Sequence, residues 1–364
     1  FRAIKDMKGW SSWKEWEGGL RHRDQKALEE FVKQNEHRVL FFKYLQWVIQ
    51  CQWDKARKSA AGHGVLLSGD LPFMVNLDSS DVWSRQNEFD THCTIGAPPD
   101  AFSEEGQKWG LPAYRWHSFE ASDFWWWRMR VKRAVQLYDV FRLDHMVGFF
   151  RTWIIPDDKS RKPDFDWKDP HAQKERGIRF LKAVSESAGD ALPVAEDLGV
   201  IPPFVRTVLA DFEIPGYKIM RWEKKGKAYI DPSEYPSVSL AATGTHDTET
   251  LLEWWNTVDR KERKLFWAMV SGQHTDPEYC PEVREKVLRS ILSAASNTVL
   301  LPVQDVIGIS DRINMPGTVG AHNWTFRMPV SFEKMGSKGI FASELEFFKN
   351  LAIETGRVPA ERIA

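Results

Sequence analysis

Short apolar segments alternate along the chain with stretches in which apolar residues recur at helical spacing. Within 39–48, for example, Leu40, Phe41, Tyr44 and Leu45 follow the period of an amphipathic helix. The short apolar runs have the length of strands and end at turn residues. The pattern predicts strands over residues 65–70, 139–144, 192–196, 217–222, 237–243 and 298–303, and helices over about 10–53, 122–137, 171–188, 202–211, 249–270, 281–295 and 342–356.

Strands that alternate with helices are typical of βαβ units and a parallel sheet, so we expect an α/β fold. Polar residues cluster where the predicted strands end, the face at which a TIM barrel carries its active site. No G-x-G-x-x-G follows any strand, which disfavours a dinucleotide-binding sheet. The residues at or just after these strand ends are Asp70, Asp144, Glu196, Trp222, Asp247 and Asp305.

Six strands are two fewer than a closed (β/α)8 barrel requires. We therefore predict one catalytic barrel domain over 1–364, with inserted helical segments, that lacks its first two strands. Those strands would lie before Phe1, which is not a methionine. Residues 71–111 are rich in turn residues and show little periodicity, so we predict an irregular segment that covers the substrate.

Composition excludes several classes of function. Lys and Arg number 50 against 51 Asp and Glu, so there is no basic surplus for binding nucleic acid. No apolar run approaches the roughly 20 residues of a membrane helix. The three cysteines lie far apart, which argues against a disulfide framework or zinc site and favours a cytoplasmic location. Eighteen tryptophans raise the odds of a carbohydrate site, with a tryptophan-rich core as an equal alternative.

Two carboxylates follow neighbouring predicted strands. Arg142 and Asp144 are two residues apart on one strand and face the same side, as a structural ion pair or as a nucleophile kept ionised by its cation. Glu196 ends an apolar strand beside Asp197, where a raised pKa is expected. One ionised and one protonated carboxylate describe a retaining glycosidase-type centre, with the two groups expected roughly 5–6 Å apart.

A third carboxylate, Asp247, follows His246 in a Thr-Gly-Thr-His-Asp-Thr segment. The two neighbours are compatible with a catalytic dyad or with a pair of metal ligands. Such a group can orient a sugar and favour a positively charged transition state. No further His or Cys lies at ligand spacing, so we predict that the centre holds no metal.

These segments resemble glycoside hydrolase family 77, whose members are 4-alpha-glucanotransferases also called amylomaltases or disproportionating enzymes. The resemblance extends over nearly the whole chain, in the family's order. The catalytic segments are 141–145 (FRLDH), 195–199 (AEDLG) and 244–247 (GTHD), and the others are 69–72 (GDLP), 96–103 (GAPPDAFS), 106–110 (GQKWG), 114–116 (YRW), 302–306 (PVQDV) and 323–324 (NW).

The resemblance implies that Asp144 is the nucleophile, Glu196 the general acid/base and Asp247 the transition-state stabiliser. It also implies that no cofactor is needed. The residues that it places around the sugar are Asp70, Arg142 and His246 at the scissile bond, Asp100, Phe102, Gln107 and Trp109 in a groove loop, and Asn323 beside the acceptor. Ala101 stands where many members carry Tyr, and the family's N-terminal part has no counterpart here.

The leading interpretation is a retaining 4-alpha-glucanotransferase that acts on alpha-1,4-glucans, namely maltooligosaccharides or segments derived from starch or glycogen. One alternative is an alpha-amylase-like hydrolase with the same centre and a wetter acceptor side. The other is an inactive glucan-binding fragment, because an open barrel edge is expected to make the isolated chain weakly active and prone to aggregate.

Overall fold

A computed structural model describes residues 1–99, 106–318, 320–335 and 339–358. The chain separates into two compact units, 1–214 and 215–364, and each is described by itself. One catalytic domain over 1–364 stays a prediction. None of the helices in the described ranges is long and apolar enough to cross a membrane.

The first unit begins with helices and continues as alternating strands and helices. Its helices are α1 (Arg2–Met7), α2 (Gly18–Arg21), α3 (Gln25–Gln34), α4 (Glu36–Gly62), α5 (Ser80–Ser84), α6 (Trp116–Ala121), α7 (Trp125–Leu137), α8 (Pro170–Ala188) and α9 (Pro203–Asp211). Its strands are β1 (Ser68–Leu71), β2 (Phe89–Asp90), β3 (Cys93–Ala97), β4 (Gln107–Lys108), β5 (Ala113–Tyr114), β6 (Val140–Leu143), β7 (Trp153–Pro156), β8 (Asp164–Phe165) and β9 (Leu192–Ala195).

Three parallel strands of this unit position the candidate site. β6 pairs with β1 on one side and β9 on the other, with Asp70 opposite Arg142 and Leu143 opposite Ala195. Asp144 and Glu196 therefore follow neighbouring strands in the same register, at the same edge. The predicted parallel arrangement of these three strands is confirmed.

The predicted irregular segment 71–111 is more ordered than its sequence indicated. It contains α5 and three short strands, and β3 pairs antiparallel with both β4 and β7. Gly96 lies so close to the Gln107 carbonyl that a Cβ atom would overlap it at 1.8 Å. The strands were missed because two to five residues are too few to establish a period.

The core of the first unit is aromatic. Phe149 stacks on Phe180 with ring centroids 3.8 Å apart, and Trp127 meets both rings edge-on. Each such burial stabilises the fold by about 1.5–3 kcal/mol. Much of the tryptophan surplus is structural, because eight tryptophans are buried in the two units: Trp13, Trp16, Trp83, Trp116, Trp126, Trp127, Trp255 and Trp267.

Helix α4 is long and poorly covered, because none of its 27 residues is buried. Leu40, Tyr44 and Trp47 lie at i, i+4 and i+7 and are 55–62% exposed. Beyond the helix, Leu66 is 71% exposed. Leu40, Tyr44 and Trp47 form an exposed apolar stripe, since residues at this spacing share one helix face.

The second unit also contains three parallel strands, with β13 between β10 and β14. The six strands predicted from the apolar pattern are thus present as three in each unit, although the last ends at Val299 because Pro302 caps a helix. The elements are β10 (Gly216–Ile219), β11 (Lys224–Lys225), β12 (Ala228–Tyr229), β13 (Ser239–Ala242), α10 (Leu251–Thr257), α11 (Arg260–Ser271), α12 (Pro281–Leu292), β14 (Thr298–Val299), α13 (Val303–Ile307) and α14 (Ala342–Glu354).

Candidate active site

Arg142 on β6 holds three carboxylates together in the first unit. Its Nε and Nη2 contact the two oxygens of Asp70 at 2.8 and 3.1 Å. Nη2 also donates to Asp144 Oδ1 at 2.9 Å, and Nη1 lies 3.3 Å from Glu196 Oε2. Burial opposes the charge of Arg142, but the hydrogen bond to Asp70 and the nearby carboxylates raise its pKa above the ordinary value. The guanidinium is therefore a permanent cation at the centre of the cluster.

Both carboxylate oxygens of Asp144 are held by donors. Oδ1 accepts from Arg142, and Oδ2 accepts from the Phe73 backbone N–H at 3.1 Å. The Asp144 side chain is still 30% exposed, so a substrate can reach it. A carboxylate that is oriented in this way and remains accessible suits a nucleophile.

Glu196 lies next to Asp144 in a different electrostatic state. Its Oε2 accepts the His145 backbone N–H at 2.7 Å. Burial, and then the negative charge of Asp144, raise the pKa of Glu196 to about 8, with Arg142 and His145 opposing the rise. Glu196 is thus protonated at neutral pH and can act as a general acid, which confirms the direction expected from its sequence context.

The Asp144 to Glu196 separation of 5–6 Å stays a prediction, but the surrounding contacts favour it. Both groups contact one guanidinium, and the charge of Asp144 is close enough to help raise the pKa of Glu196. An inverting pair would stand roughly 6.5–9.5 Å apart to admit a water molecule.

His145 is a site residue that the sequence reasoning did not single out. Its backbone is left-handed, with φ 45°, and its half-buried ring lies 5.4 Å from the Phe73 ring and 4.8 Å from the Trp109 ring. Desolvation lowers the pKa of His145 to about 4, so its ring is neutral at physiological pH. The residue supplies a backbone donor and a packing surface rather than a charge. Its only signal in the sequence was its place directly after Asp144.

The predicted groove loop reaches this cluster through Trp109. The Trp109 indole donates to Gln107 Oε1 at 3.0 Å, and its ring meets His145 edge-on. Gln107 and Trp109 therefore belong to the same surroundings as the two carboxylates. Asp100 and Phe102, the other two predicted contacts in this loop, lie outside the described residues.

Asp247 lies in a separate cluster of the second unit. Asn314 Nδ2 donates to Asp247 Oδ1 at 2.6 Å, and His246 Nε2 is 3.3 Å from Oδ2. Arg312 fastens the loop by donating to the backbone carbonyls of Asp247 at 2.8 Å and Asn314 at 2.9 Å. Sequence reasoning paired Asp247 with His246 but missed Arg312 and Asn314, because residues more than 60 positions apart give no local signal.

Asn323, predicted beside the acceptor, is engaged within its own loop. Its Oδ1 accepts from Met315 N–H at 2.9 Å, and its Nδ2 donates to Thr318 at 3.0 Å. The following residue, Trp324, is 65% exposed and its ring lies 5.2 Å from that of His246. Trp324 is therefore the better placed of the two to present a flat surface beside Asp247.

Within the described ranges, the His, Cys, Asp and Glu side chains form no group of three or more that could hold a metal ion. In the acidic cluster of the first unit, the guanidinium of Arg142 contacts all three carboxylates. A metal-free centre stays a prediction.

Known proteins with similar sequences share one description. The family model described as 4-alpha-glucanotransferase, glycoside hydrolase family 77, matches residues 1–332. A 4-alpha-glucanotransferase of Chlamydia pneumoniae is 34% identical over 359 residues, which cover 95% of this chain and 67% of that protein. A chloroplastic/amyloplastic 4-alpha-glucanotransferase of Solanum tuberosum is 31% identical over 91% of this chain and 57% of its own length. The chain thus spans about two thirds or less of these relatives.

Solved structures agree with this similarity. An amylomaltase from Streptococcus agalactiae, in complex with acarbose, matches with a TM-score of 0.83 and 28% identity, over 98% of this chain and 70% of that one. An amylomaltase from Corynebacterium glutamicum matches with a TM-score of 0.76 over 95% of this chain and 53% of that one. At 18% identity, the second match supports the fold alone.

Proposed function

Because the chain belongs to glycoside hydrolase family 77, the 4-alpha-glucanotransferases, we propose that it transfers an alpha-1,4-glucan segment from a donor to a glucose or glucan acceptor. The observation that carries the proposal is the carboxylate pair of the first unit. Asp144 is held by two donors, while Glu196 beside it has a pKa raised to about 8. A pair in two protonation states is what a retaining double displacement requires.

In the first step, a carboxylate oxygen of Asp144 attacks C1 of the donor glucosyl residue. The bond from C1 to the glycosidic oxygen breaks as Glu196 gives its proton to that oxygen. The products are a glucosyl ester of Asp144 and a shortened glucan that departs with a free 4-hydroxyl group. Arg142 contacts both carboxylates, so its positive charge lies beside Asp144 as that group loses its negative charge and beside Glu196 as that group gains one.

In the second step, the 4-hydroxyl group of an acceptor gives its proton to Glu196 and attacks C1. The ester bond to Asp144 breaks, and the anomeric configuration of the donor is restored. Asp247 is proposed to favour the positively charged transition state of both steps, and Asp70, Arg142 and His246 to hold the reacting groups. These roles follow from the family resemblance, matched residue by residue.

The proposed substrates are maltooligosaccharides and glucan segments derived from starch or glycogen. The family description and the acarbose complex of the Streptococcus agalactiae amylomaltase support an alpha-glucan. Transfer requires that water be excluded while the ester exists. Trp109, packed against His145, is a residue of the proposed covering segment 71–111 whose ring contacts the cluster.

The full barrel belongs to this proposal too. Three parallel strands in each unit and two further strands would complete eight. The unmatched third of the relatives' length is sufficient to supply the two strands. A cytoplasmic location also stays a proposal, since the Solanum tuberosum relative is described as chloroplastic/amyloplastic.

Product analysis on maltotriose tests the proposal. Transfer produces glucose together with longer sugars, whereas an alpha-amylase-like hydrolase only shortens the substrate. The chain is compared with a form extended upstream by roughly 100–200 residues, the size of a small domain. We expect weak or no transfer by the 364-residue chain, transfer by the extended form, and none by its Asp144→Asn variant. Shortened products alone, or inverted anomeric configuration at early times, would contradict the proposal.

A further inference from the structure

Arg130 of α7 lies behind the candidate nucleophile without touching it. Its Nη2 donates to the Pro72 carbonyl at 2.7 Å. Its guanidinium stands over the ring faces of Trp126 and Trp127, 4.7 and 4.4 Å from their centroids. No carboxylate in the described ranges pairs with it within 4 Å. A cation that is fixed by two aromatic faces and directed at a backbone carbonyl needs an explanation other than an ion pair.

The Pro72 carbonyl belongs to the same peptide group as the Phe73 N–H. That N–H is the donor to Asp144 Oδ2 at 3.1 Å. The peptide is trans, so its C=O and N–H point in opposite directions along one rigid plane. Fixing the carbonyl therefore fixes the direction of the N–H. A charged donor on the carbonyl also polarises the amide and strengthens the hydrogen bond at the other end.

The next peptide group is fixed from the other side. The buried Tyr114 hydroxyl donates to the Phe73 carbonyl. The Phe73 ring is held edge-on by Tyr114 at 5.4 Å and by Phe149 at 4.8 Å. Burial raises the pKa of Tyr114, so its phenol stays protonated and remains a donor at neutral pH.

We propose that Arg130 is a positioning residue for Asp144, acting through the Pro72–Phe73 peptide group. The guanidinium holds the Pro72 carbonyl so that the Phe73 N–H points at the carboxylate oxygen. Burial lowers the pKa of Arg130, and the charge of Asp144 is among the interactions that oppose this fall, so the two groups also interact at longer range. The inference rests on the proposed function, in which Asp144 is the nucleophile.

An isotope-labelling experiment observes this peptide directly and does not depend on turnover. In the sequence only Phe73 and Phe204 follow a proline. Labelling proline carbonyls with 13C and phenylalanine amides with 15N therefore yields two correlation signals, one for the peptide of interest and one internal control. The variants are Arg130→Met, which retains an apolar stem between the tryptophans, and Arg130→Lys, which retains a cation.

In Arg130→Met we expect the Pro72 carbonyl signal to move upfield and the Phe73 amide to exchange about tenfold faster. Arg130→Lys should have an intermediate effect, and the Phe204 signal should not move. The matched control is Arg133→Met on the same helix, whose guanidinium donates to the Gln136 and Gln50 side chains. If the signals of Arg130→Met and Arg133→Met coincide, the inference is wrong. Should Arg130→Met fail to fold, shown by loss of the Phe204 signal, Arg130→Lys decides in the same way.

Kinetics of the turnover-competent form separates positioning from a structural role. We expect Arg130→Met to lower kcat about 10- to 100-fold with KM and the melting temperature nearly unchanged, and Arg130→Lys to recover part of kcat. Loss of stability without a selective fall in kcat would contradict positioning. Asp144→Asn in the same series tests the proposed function separately: if it retains transfer, the proposed nucleophile is wrong, whatever the labelled peptide shows.

Discussion

Glu196 is the residue whose state matters most for the chemistry. Its pKa of about 8 lies above the ordinary value for glutamate, because burial and the charge of Asp144 both disfavour its ionised form. The folded protein therefore binds this proton more tightly than the unfolded chain does. The contribution of this proton to the free energy of unfolding is fully present at acidic pH and is lost as the pH rises towards 8. The buried Glu196 side chain that catalysis needs therefore lowers the stability of the fold at alkaline pH.

We predict that kcat/KM of the turnover-competent form falls as the pH rises through about 8, because the first step needs protonated Glu196. Glu196→Gln should lower transfer from maltotriose by about 100-fold or more. The same variant should still form the Asp144 ester from alpha-maltosyl fluoride, whose fluoride leaves without a proton. Equal loss on both donors would show that Glu196 is not the general acid.

Asn314 provides a second prediction at this scale. Its amide donates to Asp247 Oδ1, so Asn314→Ala leaves that oxygen free to turn. Losing one oriented hydrogen bond of roughly 1–2 kcal/mol should lower kcat about tenfold. The comparison is Asn297→Ala, at an exposed asparagine of the same unit. Equal activities of the two variants would contradict a role for Asn314 in orienting Asp247.

At the scale of elements, the pairing of β3 with β4 brings Gln107 and Trp109 to the site. Gly96→Ala would place a Cβ atom against the Gln107 carbonyl, a backbone atom that cannot turn away. We predict a loss of about 1–3 kcal/mol in the free energy of unfolding, measured by denaturant titration. Gly62→Ala is the matched control, because a Cβ there meets nothing within 4 Å. Similar stabilities of the two variants would show that β4 can separate from β3 freely.

Two separate donor networks hold the ends of the site strands. One is Arg142 within β6, and the other is the pair of backbone N–H groups of Phe73 and His145, which follow β1 and β6. The backbone of His145 is in the left-handed conformation, and its N–H donates to Glu196. This conformation costs a non-glycine residue on the order of 1 kcal/mol. The packing of its ring against Phe73 and Trp109 offsets this cost.

For the whole molecule, the exposed apolar stripe of α4 bears on self-association. Leu40, Tyr44 and Trp47 are 55–62% exposed on one helix face, and exposed apolar side chains that lie together favour association between protein surfaces. We predict that the 364-residue chain self-associates in sedimentation velocity at micromolar concentration. Replacing these three residues by Lys, Lys and Glu should shift it towards monomer.

The control for that experiment is a triple change of equal net charge at exposed positions of the same helix, Gln46→Lys, Gln52→Lys and Ala56→Glu. It should leave the association unchanged. A chain that is monomeric without any substitution, and as active as its extended form, would contradict both this prediction and the expected absence of two strands.

Metal removal is the remaining test at this scale. In the acidic cluster of the first unit, the guanidinium of Arg142 contacts all three carboxylates and supplies a positive charge there. We expect transfer by the turnover-competent form to be undiminished after exhaustive chelation and dialysis. Loss of activity that a divalent ion restores would contradict the prediction of a metal-free centre.

Local patterns were sufficient for much of this protein. The apolar runs predicted six strands, and the residue just after each run identified Asp144 and Glu196, because strand periodicity and strand ends are encoded by near neighbours. The spacing of Arg142 and Asp144 was enough to predict that their side chains lie on the same side of the strand, since alternate residues of a strand share a side. The raised pKa of Glu196 followed from an acid that ends an apolar strand next to a second acid.

Only the tertiary structure decided which distant groups complete these clusters. Arg130 of α7, Tyr114 of β5 and Phe73 after β1 come together near Asp144, and Arg312 and Asn314 reach Asp247 across more than 60 residues. Asp305, which the pattern placed with the strand-end carboxylates, instead accepts the Leu251 N–H inside the second unit. The reason is physical: a hydrogen bond depends on distance in space, and chain folding sets that distance for residues whose sequence separation carries no information about it.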